Sequence, residues 1–199
     1  MESNRTIEKH PLQPFLPSGA RVLFLGSFPP PRAKWSMEFF YPNFINDFWR
    51  VWGLLCYDDK THFERGKTFD KSAIEAFATE KGMAFFDTAS QVRRLKGNAS
   101  DDFLEIVEPT DIGSLLAEIP DCYTLVTTGG KASDTLLQTL SNACADMSLR
   151  APAIGTYCEV VAYDRALKWY RMPSTSRAYP MSLEKKAAFY SSLLPQLRG

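Results

Sequence analysis

What the chain lacks excludes several classes of metal protein. It has only two histidines, and its four cysteines are scattered, with no two of them in a Cys-x-x-Cys pair. Zinc and iron–sulfur sites depend on such spacings, so we expect no bound metal. Scattered cysteines are instead typical of free thiols in a reducing compartment, and we expect a cytoplasmic protein.

Long apolar runs and an excess of one charge are also missing. No run approaches the roughly 18 apolar residues of a membrane span, and residues 1–5 begin no apolar leader, so we expect neither a membrane anchor nor a signal peptide. Lysine and arginine (23) balance aspartate and glutamate (23), so a general electrostatic clamp on nucleic acid is not evident. A local basic patch stays open, because net charge does not describe how charges are distributed.

What is present suits one globular domain. A chain of 199 residues with 45% hydrophobic residues can bury a sizeable core. Residues 1–17 are polar and proline-rich, and we interpret them as a lead-in to a single domain over residues 18–199, which we expect to be a monomer. His10 falls in the lead-in and is expected to be an ordinary surface histidine.

Strands and helices are predicted to alternate along the chain. An unbroken apolar run at residues 22–25 predicts a strand buried on both faces, and Gly26 and three prolines then force a stiff loop. Further strands are predicted at residues 83–87, 123–127, 160–163 and 168–172. Helices are predicted at residues 44–55, 70–81, 111–118, 131–145 and 182–194, with Asn43, Thr110 and Ser182 as N-caps and Gly82 as a stop. This order predicts an α/β fold, with helices on both faces of a mostly parallel sheet.

Three loops are expected to meet at the carboxyl edge of that sheet, where open α/β folds bind ligands. They cover residues 26–49, 127–131 and 173–179, and they carry aromatic, hydroxyl and amide side chains with few charges. Such a lining suits a flat, neutral, heteroaromatic ligand. Asn46 could hydrogen-bond its edge, and Phe28 could either stack on it or belong to the core. Phe44, Phe48 and Trp49 are expected to be core residues of the following helix. Asp87 and Asp101 are among the possible acid–base groups.

The glycine pair Gly129–Gly130 allows two interpretations. It stands between a predicted strand and a predicted helix, so free N–H groups and the positive end of the helix dipole could bind an anion there. The pair could also be only a tight turn between the two elements.

Four motifs in the same order resemble the uracil-DNA glycosylase superfamily, and most closely the branch that removes hypoxanthine and related deaminated bases. That branch typically shows Gly-Ser-x-Pro-Gly after a strand, then Pro-Arg-Asn-x-Phe-Trp, an aspartate loop before Glu-Pro, and Leu-Pro-Ser-Thr-Ser-Pro-Ala. The corresponding segments here are residues 25–30, residues 44–49, Asp101 with Glu108–Pro109, and residues 172–178.

The resemblance implies a three-layer α/β/α sandwich that hydrolyses the N-glycosidic bond of a damaged base flipped out of DNA, without metal or cofactor. It implies catalytic roles for Asn46 and Asp101. It implies a base-binding set of Gly26, Ser27, Phe28 and Tyr41, a DNA-binding set of Ser174, Thr175, Ser176 and Arg177, and pocket residues Gly129 and Gly130.

The chain also departs from the pattern. Ile45 and Arg177 stand where the branch has arginine and proline, and Phe28 stands where other branches have asparagine or aspartate. Two alternatives are therefore kept: a catalytically altered or inactive relative that binds a nucleobase, nucleotide or nucleic acid, and an unrelated α/β enzyme for a small anion at Gly129–Gly130. A glycosylase would need a basic rim, for which the candidates are Arg32, Lys34, Lys131 and Arg177.

Overall fold

A computed structural model describes residues 6–96, 103–144 and 148–198. The strands are β1 (Ile7–Lys9), β2 (Val22–Gly26), β3 (Glu64–Arg65), β4 (Thr68–Phe69), β5 (Met83–Asp87), β6 (Ala89–Arg94), β7 (Leu104–Pro109), β8 (Thr124–Thr128), β9 (Thr156–Ala162) and β10 (Arg165–Met172). The helices are α1 (Phe48–Tyr57), α2 (Lys71–Lys81), α3 (Ile112–Glu118), α4 (Gly130–Ala143) and α5 (Leu183–Tyr190), with short 3-10 helices at Arg32–Lys34 and Ser191–Gln196. No helix within these ranges is long and apolar enough to cross a bilayer.

The central sheet has five strands in the order β5-β2-β8-β10-β9. The first four are parallel and only the edge strand β9 is antiparallel. The register pairs Gly26 with Asp87 and Met172 with Thr128, so the four parallel strands end together at one edge. The predicted α/β fold, a three-layer α/β/α sandwich around a mostly parallel sheet, is confirmed.

The core is built on the three strands that carry the strongest apolar patterns. Every residue of β2, β5 and β8 is buried, as expected for parallel strands with both faces covered. Phe24 of β2 stacks on Phe85 of β5 with ring centroids 5.4 Å apart, and α1 adds the fully buried Trp52. This rigid centre holds the loops at the carboxyl edge.

A second, antiparallel sheet was not predicted. Its order is β1-β6-β7, and its strands are mostly half-buried or exposed, so their sequences carry little apolar periodicity. The proline-rich lead-in contributes β1, which pairs Ile7 with Arg93, and Phe15 then exchanges backbone hydrogen bonds with Phe85 of the central sheet. Asp101 lies outside the described residues.

Helix α2 matches its prediction, while two predicted N-caps are wrong. Asp70 caps α2 by accepting from the Ala73 N–H, and Gly82 ends it with a φ of 68°. Helix α1 begins at Phe48 and not near residue 44, so Asn43 does not cap it. Helix α3 is capped by Asp111, whose carboxylate accepts from the Ser114 N–H, and not by its neighbour Thr110.

Candidate functional site

A cavity of about 590 Å³ opens at the carboxyl edge of the central sheet. Its volume lies within the range of small-molecule sites. The predicted residues that line it are Gly26, Ser27, Phe28, Tyr41, Asn46, Ser174, Thr175, Ser176 and Arg177. The parallel strands therefore bring the predicted base-binding, DNA-binding and catalytic asparagine positions to one place from distant parts of the chain.

Three polar side chains meet where β2, β5 and β8 end, and we call Tyr41, Asp87 and Thr128 the strand-end cluster. The Tyr41 and Thr128 hydroxyls are 2.8 Å apart, and the Tyr41 ring stacks on Phe48 with centroids 3.7 Å apart. Burial raises the pKa of Tyr41 far above its ordinary value, against the effect of the Thr128 hydrogen bond and with help from the Asp87 charge. Tyr41 therefore enters any reaction as a neutral hydroxyl.

Asp87 is held by a histidine from the lead-in. The Nε2 atom of His10 lies 2.9 Å from Oδ2 of Asp87, and these side chains are only 4% and 11% exposed. The His10 ring also packs on Phe86, with centroids 4.3 Å apart. The expectation that His10 is a surface histidine is wrong, because the pairing of β1 with β6 carries the lead-in to the ends of the central strands.

Gly26 is required by the close approach of Asp87. A Cβ atom at position 26 would lie 2.5 Å from Oδ1 of Asp87 and 3.8 Å from the Tyr41 hydroxyl. Any side chain here would displace the carboxylate, since real Cβ contacts are not that short. The glycine that ends β2 thus leaves room for the strand-end cluster.

The proline loop presents Phe28 at the cavity. Phe28 is half-buried, and the Arg94 guanidinium lies 5.6 Å from its ring centroid. Arg94 also donates to the Pro29 carbonyl at 2.7 Å, and the Trp35 indole donates to the Pro30 carbonyl at 2.7 Å. Both hydrogen bonds hold the loop, and Phe28 lines the cavity while its ring also contacts the His10 ring at 5.3 Å and packs against a small apolar cluster of Ala89, Val92 and Leu104.

Of the three aromatic residues around the start of α1, two lie in the core and one is partly exposed. Phe48 and Trp49 are buried core residues, whereas Phe44 is only half-buried and packs on Phe69 with centroids 5.2 Å apart.

Asn46 lies in the turn before α1 and lines the cavity. Its Oδ1 atom accepts the Phe48 N–H at 2.9 Å, so the Nδ2 group is the donor that remains for a ligand. The Asn46 carbonyl accepts from Arg50 at 3.0 Å, and Arg50 in turn pairs with Glu64 at 2.6 Å. The Asn46 N–H also donates to the Asn43 carbonyl at 2.8 Å, so hydrogen bonds hold the backbone on both sides of the asparagine.

A buried ionic network joins the Asn46 turn to the loop after β10. Asp47 accepts from Arg177 at 2.8 Å and from Lys186 at 2.9 Å, and its N–H donates to the Thr175 carbonyl at 2.9 Å. Lys186 also donates to the Ser176 carbonyl at 2.9 Å. Burial opposes ionisation of Asp47, but the hydrogen bonds and charges of Lys186 and Arg177 outweigh it and lower its pKa. The carboxylate is thus neutralised within the protein.

Sequence reasoning missed Lys186 entirely. It lies on α5 beside Lys185 in a helix that is polar on its outer face, and nothing local distinguishes the two lysines. The Lys186 side chain is nevertheless 0% exposed. A buried lysine needs a partner, and here that partner comes from 139 residues away.

Two of the predicted rim cations reach the cavity, namely Lys34 and Arg177. Arg32 instead pairs with Glu38 and stacks on Trp35, so its charge is balanced. Arg177 is 57% exposed while it pairs with Asp47, which leaves part of its guanidinium facing solvent. The rim is therefore positive at isolated points and not along a continuous stripe.

The two glycines predicted for the pocket lie outside the cavity lining. Gly129 has a φ of 104°, lies against Ser174 and donates to the Met172 carbonyl, while Gly130 begins α4. This geometry favours the tight-turn interpretation of the pair.

A second cavity, of about 510 Å³, lies at the opposite edge of the sheet. It is lined by Arg21, Tyr123 and Arg198 among others, and the Arg198 side chain is occupied with the Gly19 carbonyl. Because the Arg198 side chain is already bonded within the protein, the carboxyl-edge cavity is the better candidate site.

Within the described ranges, no group of three or more histidine, cysteine, aspartate or glutamate side chains could hold a metal ion.

Fold and cavity together define an α/β protein with an aromatic, amide and hydroxyl pocket at the carboxyl edge of a parallel sheet. No family model matches the sequence, and no curated protein matches it. Among solved structures, the chain is similar to the solution NMR structure of a protein from Methanosarcina acetivorans that is described as a "putative uracil DNA glycosylase". The TM-score is 0.62 at 16% sequence identity, over 96% of this chain and 99% of the other. The likeness establishes the fold over nearly the whole chain.

Proposed function

We propose that the protein is a DNA glycosylase that hydrolyses the N-glycosidic bond of a deaminated base flipped out of DNA. Hypoxanthine is the proposed substrate, with uracil and xanthine as further candidates. The observation that carries the proposal is the convergence of Phe28, Asn46 and the loop of residues 174–177 around one cavity. The motifs at these positions and the description of the structural neighbour support the same chemistry.

The pocket offers the groups that such a hydrolysis requires. Water attacks the sugar C1′, the bond to the base nitrogen breaks, and the base leaves with the bonding electrons and takes up a proton. A hydrogen-bond donor aimed at the departing base lowers the barrier, because negative charge develops there. Asn46 Nδ2 would serve as that donor or orient the water, and Phe28 would stack on the base.

The loop after β10 would bind the DNA backbone. Ser174 Oγ accepts the Ser176 N–H and Ser176 Oγ accepts the Ala178 N–H, both at 3.2 Å, so the loop is already ordered without DNA. The half-buried Ser174 and Ser176 hydroxyls would bind phosphates, and the exposed part of Arg177 would fill the gap that the flipped base leaves. Thr175 is only 2% exposed and instead holds the loop through its carbonyl, which accepts the Asp47 N–H. Extrusion costs a few kcal/mol, least for a mismatched base, which favours deaminated positions. We propose that this works as a monomer, without metal or cofactor.

One observation favours a second candidate function. Ile45 is 59% exposed beside Asn46 at the cavity, where the resembling branch has arginine. A relative that binds a nucleobase, nucleotide or nucleic acid without cleaving it would fit that lining.

Single-turnover cleavage separates the two candidates. Labelled duplexes with hypoxanthine, uracil or xanthine are treated with the protein and then with alkali, which breaks abasic sites. We expect cleavage by the wild type and a loss of about 10²- to 10³-fold in Asn46→Ala, as for removal of one transition-state donor. Asn142→Ala, an exposed asparagine on α4, is the matched control and should cleave like the wild type. Absence of cleavage of all three duplexes at high protein concentration would favour the binding protein.

A further inference from the structure

Asp47 joins two of the segments that line the carboxyl-edge cavity. It follows Asn46 in the chain and is only 3% exposed. Its N–H donates to the Thr175 carbonyl at 2.9 Å, which ties the Asn46 turn to the loop of residues 174–177. Asp47 falls at the variable position of the asparagine motif, so the motif assigns it no role.

The two oxygens of the Asp47 carboxylate hold cations in different surroundings. Lys186 donates to Oδ2 at 2.9 Å, and its side chain is 0% exposed. Arg177 donates through Nε to Oδ1 at 2.8 Å, and its side chain is 57% exposed. One buried cation already balances one buried carboxylate. The charge of Arg177 is therefore not needed to neutralise the interior, and it lies at the cavity.

The contact through Nε leaves the far end of Arg177 available to a ligand. A guanidinium carries its N–H donors in a rigid plane, and the ion pair with Asp47 uses the Nε donor. Within the described residues, neither Nη group makes a hydrogen bond. Asp47 thus holds the inner end of the guanidinium while the outer donors stay free.

Asp47 thereby ties Arg177 to the turn that carries Asn46. In the proposed reaction the base reaches Asn46 as Arg177 enters the gap in the duplex. A side chain that is free to rotate loses rotamer freedom when it enters that gap, whereas a side chain that is already held loses less. Holding Arg177 in advance would therefore favour the state in which the gap is filled.

The resemblance to known motifs does not account for this contact, because Arg177 stands where the branch has proline, which has no side-chain donor. We propose that Asp47, with its charge balanced by Lys186, is a positioning residue that holds Arg177 ready to fill the gap left by a flipped base. This inference rests on the proposed function. It predicts that Arg177 is effective only while residue 47 is a carboxylate.

The test uses a gap that exists before the protein binds. One duplex carries a tetrahydrofuran abasic analogue, which leaves a gap and offers no base to cleave, and the matched duplex is undamaged. Fluorescence anisotropy gives the dissociation constant of each duplex, and their ratio is the gap preference. Arg177 can enter only the first duplex, so this ratio measures gap filling separately from base recognition and cleavage.

Arg177→Ala is measured in three backgrounds. In the wild type we expect it to lower the gap preference about 10-fold, as for one immobilised side chain. In Asp47→Asn/Lys186→Met, which removes both buried charges, it should lower the preference by less than about 2-fold, because Arg177 is no longer held. Asp134→Asn/Lys185→Met makes the same changes at exposed positions and is the control, where the loss should again be about 10-fold.

Removing both buried charges separates positioning from stability. A buried ion pair replaced by neutral residues is often tolerated, whereas one buried charge left alone is not. Urea denaturation checks that the neutral background is folded. Equal losses from Arg177→Ala in the wild-type and neutral backgrounds would show that the network only stabilises the fold, and would overturn the proposal. An unchanged gap preference in Arg177→Ala would overturn it as well.

Arg177→Lys tests the proposal without touching the buried charges, and it decides if the neutral background does not fold. Lysine keeps the positive charge, but its one ammonium group would be taken up by Asp47 and would leave no donor beyond that contact. We expect the gap preference to fall to that of Arg177→Ala. A preference within about 2-fold of the wild type would contradict the role of the Nε contact.

The outcomes separate this proposal from the proposed function. A gap preference that depends on both Arg177 and Asp47, without cleavage of the hypoxanthine, uracil or xanthine duplexes, overturns the glycosylase and supports the positioning role. Cleavage together with equal losses in the two backgrounds does the reverse. Failure to bind either duplex overturns both.

Discussion

The two edges of the central sheet are made by the same parallel strands, yet their polar side chains are used differently. Each edge has a cavity of similar volume, about 590 and about 510 Å³. At the carboxyl edge Asp87, Thr128 and Ser174 come from three segments of the chain and line one cavity together. At the amino edge Arg198 lies against Gly82 and donates to the Gly19 carbonyl, so its polar groups satisfy the protein itself.

The comparison teaches that cavity size does not identify a site. A strand that ends in a buried polar residue delivers that residue to the carboxyl edge, whereas the amino edge is closed by residues near the end of the chain. We therefore expect substitutions at the carboxyl edge to affect ligand binding and catalysis, and substitutions at the amino edge to affect only stability. Three substitutions test this difference.

The largest effect is expected at the ionic network that holds the carboxyl-edge loops. Lys186→Met would leave Asp47 with Arg177 alone, and we expect a loss of about 3 kcal/mol in the free energy of unfolding, as for a broken buried ion pair. Urea denaturation measures it. Lys185→Met on the next, exposed position is the control and should change stability by less than about 0.5 kcal/mol. Equal effects in the two variants would contradict the buried-charge account.

An intermediate effect is expected where β2 ends. Gly26→Ala would push Asp87 from its position, and a displacement of about 1 Å at a reacting site can cost about 10²-fold in rate. Single-turnover cleavage of the hypoxanthine duplex measures the loss. Gly130→Ala is the matched control, since a Cβ there meets nothing within 4 Å. A comparable loss in the control would instead assign the glycine pair to the pocket.

The smallest effect compares the two edges directly. Arg177→Ala should weaken DNA binding at every sequence, because the side chain that would fill the gap left by the flipped base is lost, and should lower the salt slope by at most about 1 through the loss of one cation. Arg198→Ala, the arginine of the amino edge, should leave both unchanged and cost about 1 kcal/mol of stability through its lost hydrogen bond. Fluorescence anisotropy at several salt concentrations measures the first property and urea denaturation the second. DNA binding that depends on Arg198 would reverse the assignment of the edges.

Much of the fold could be predicted because its signals are local. Strands buried on both faces read as apolar runs, so the predicted bounds of β2, β5 and β8 agree with the structure to within one residue. Helix α2 could be predicted because its stop is local too, as Gly82 readily adopts a left-handed conformation. The antiparallel sheet of β1, β6 and β7 could not, because half-exposed strands have no comparable pattern.

The candidate site could be predicted in part for the same reason. Phe28, Asn46 and Arg177 are named by motifs, and the alignment of the parallel strands then brings them to one cavity. The burial of His10 and Lys186 could not be predicted, since each is buried only through a partner 77 or 139 residues away.

The sequence by itself determined the alternation of strands and helices, the edge at which ligands are expected, and the aromatic and amide character of that edge. Only the tertiary structure decided which charged side chains are buried and which partners they have, as for His10 with Asp87 and Lys186 with Asp47. The physical reason is that an apolar run favours burial wherever it lies, whereas a buried charge is tolerated only beside a partner that the fold supplies.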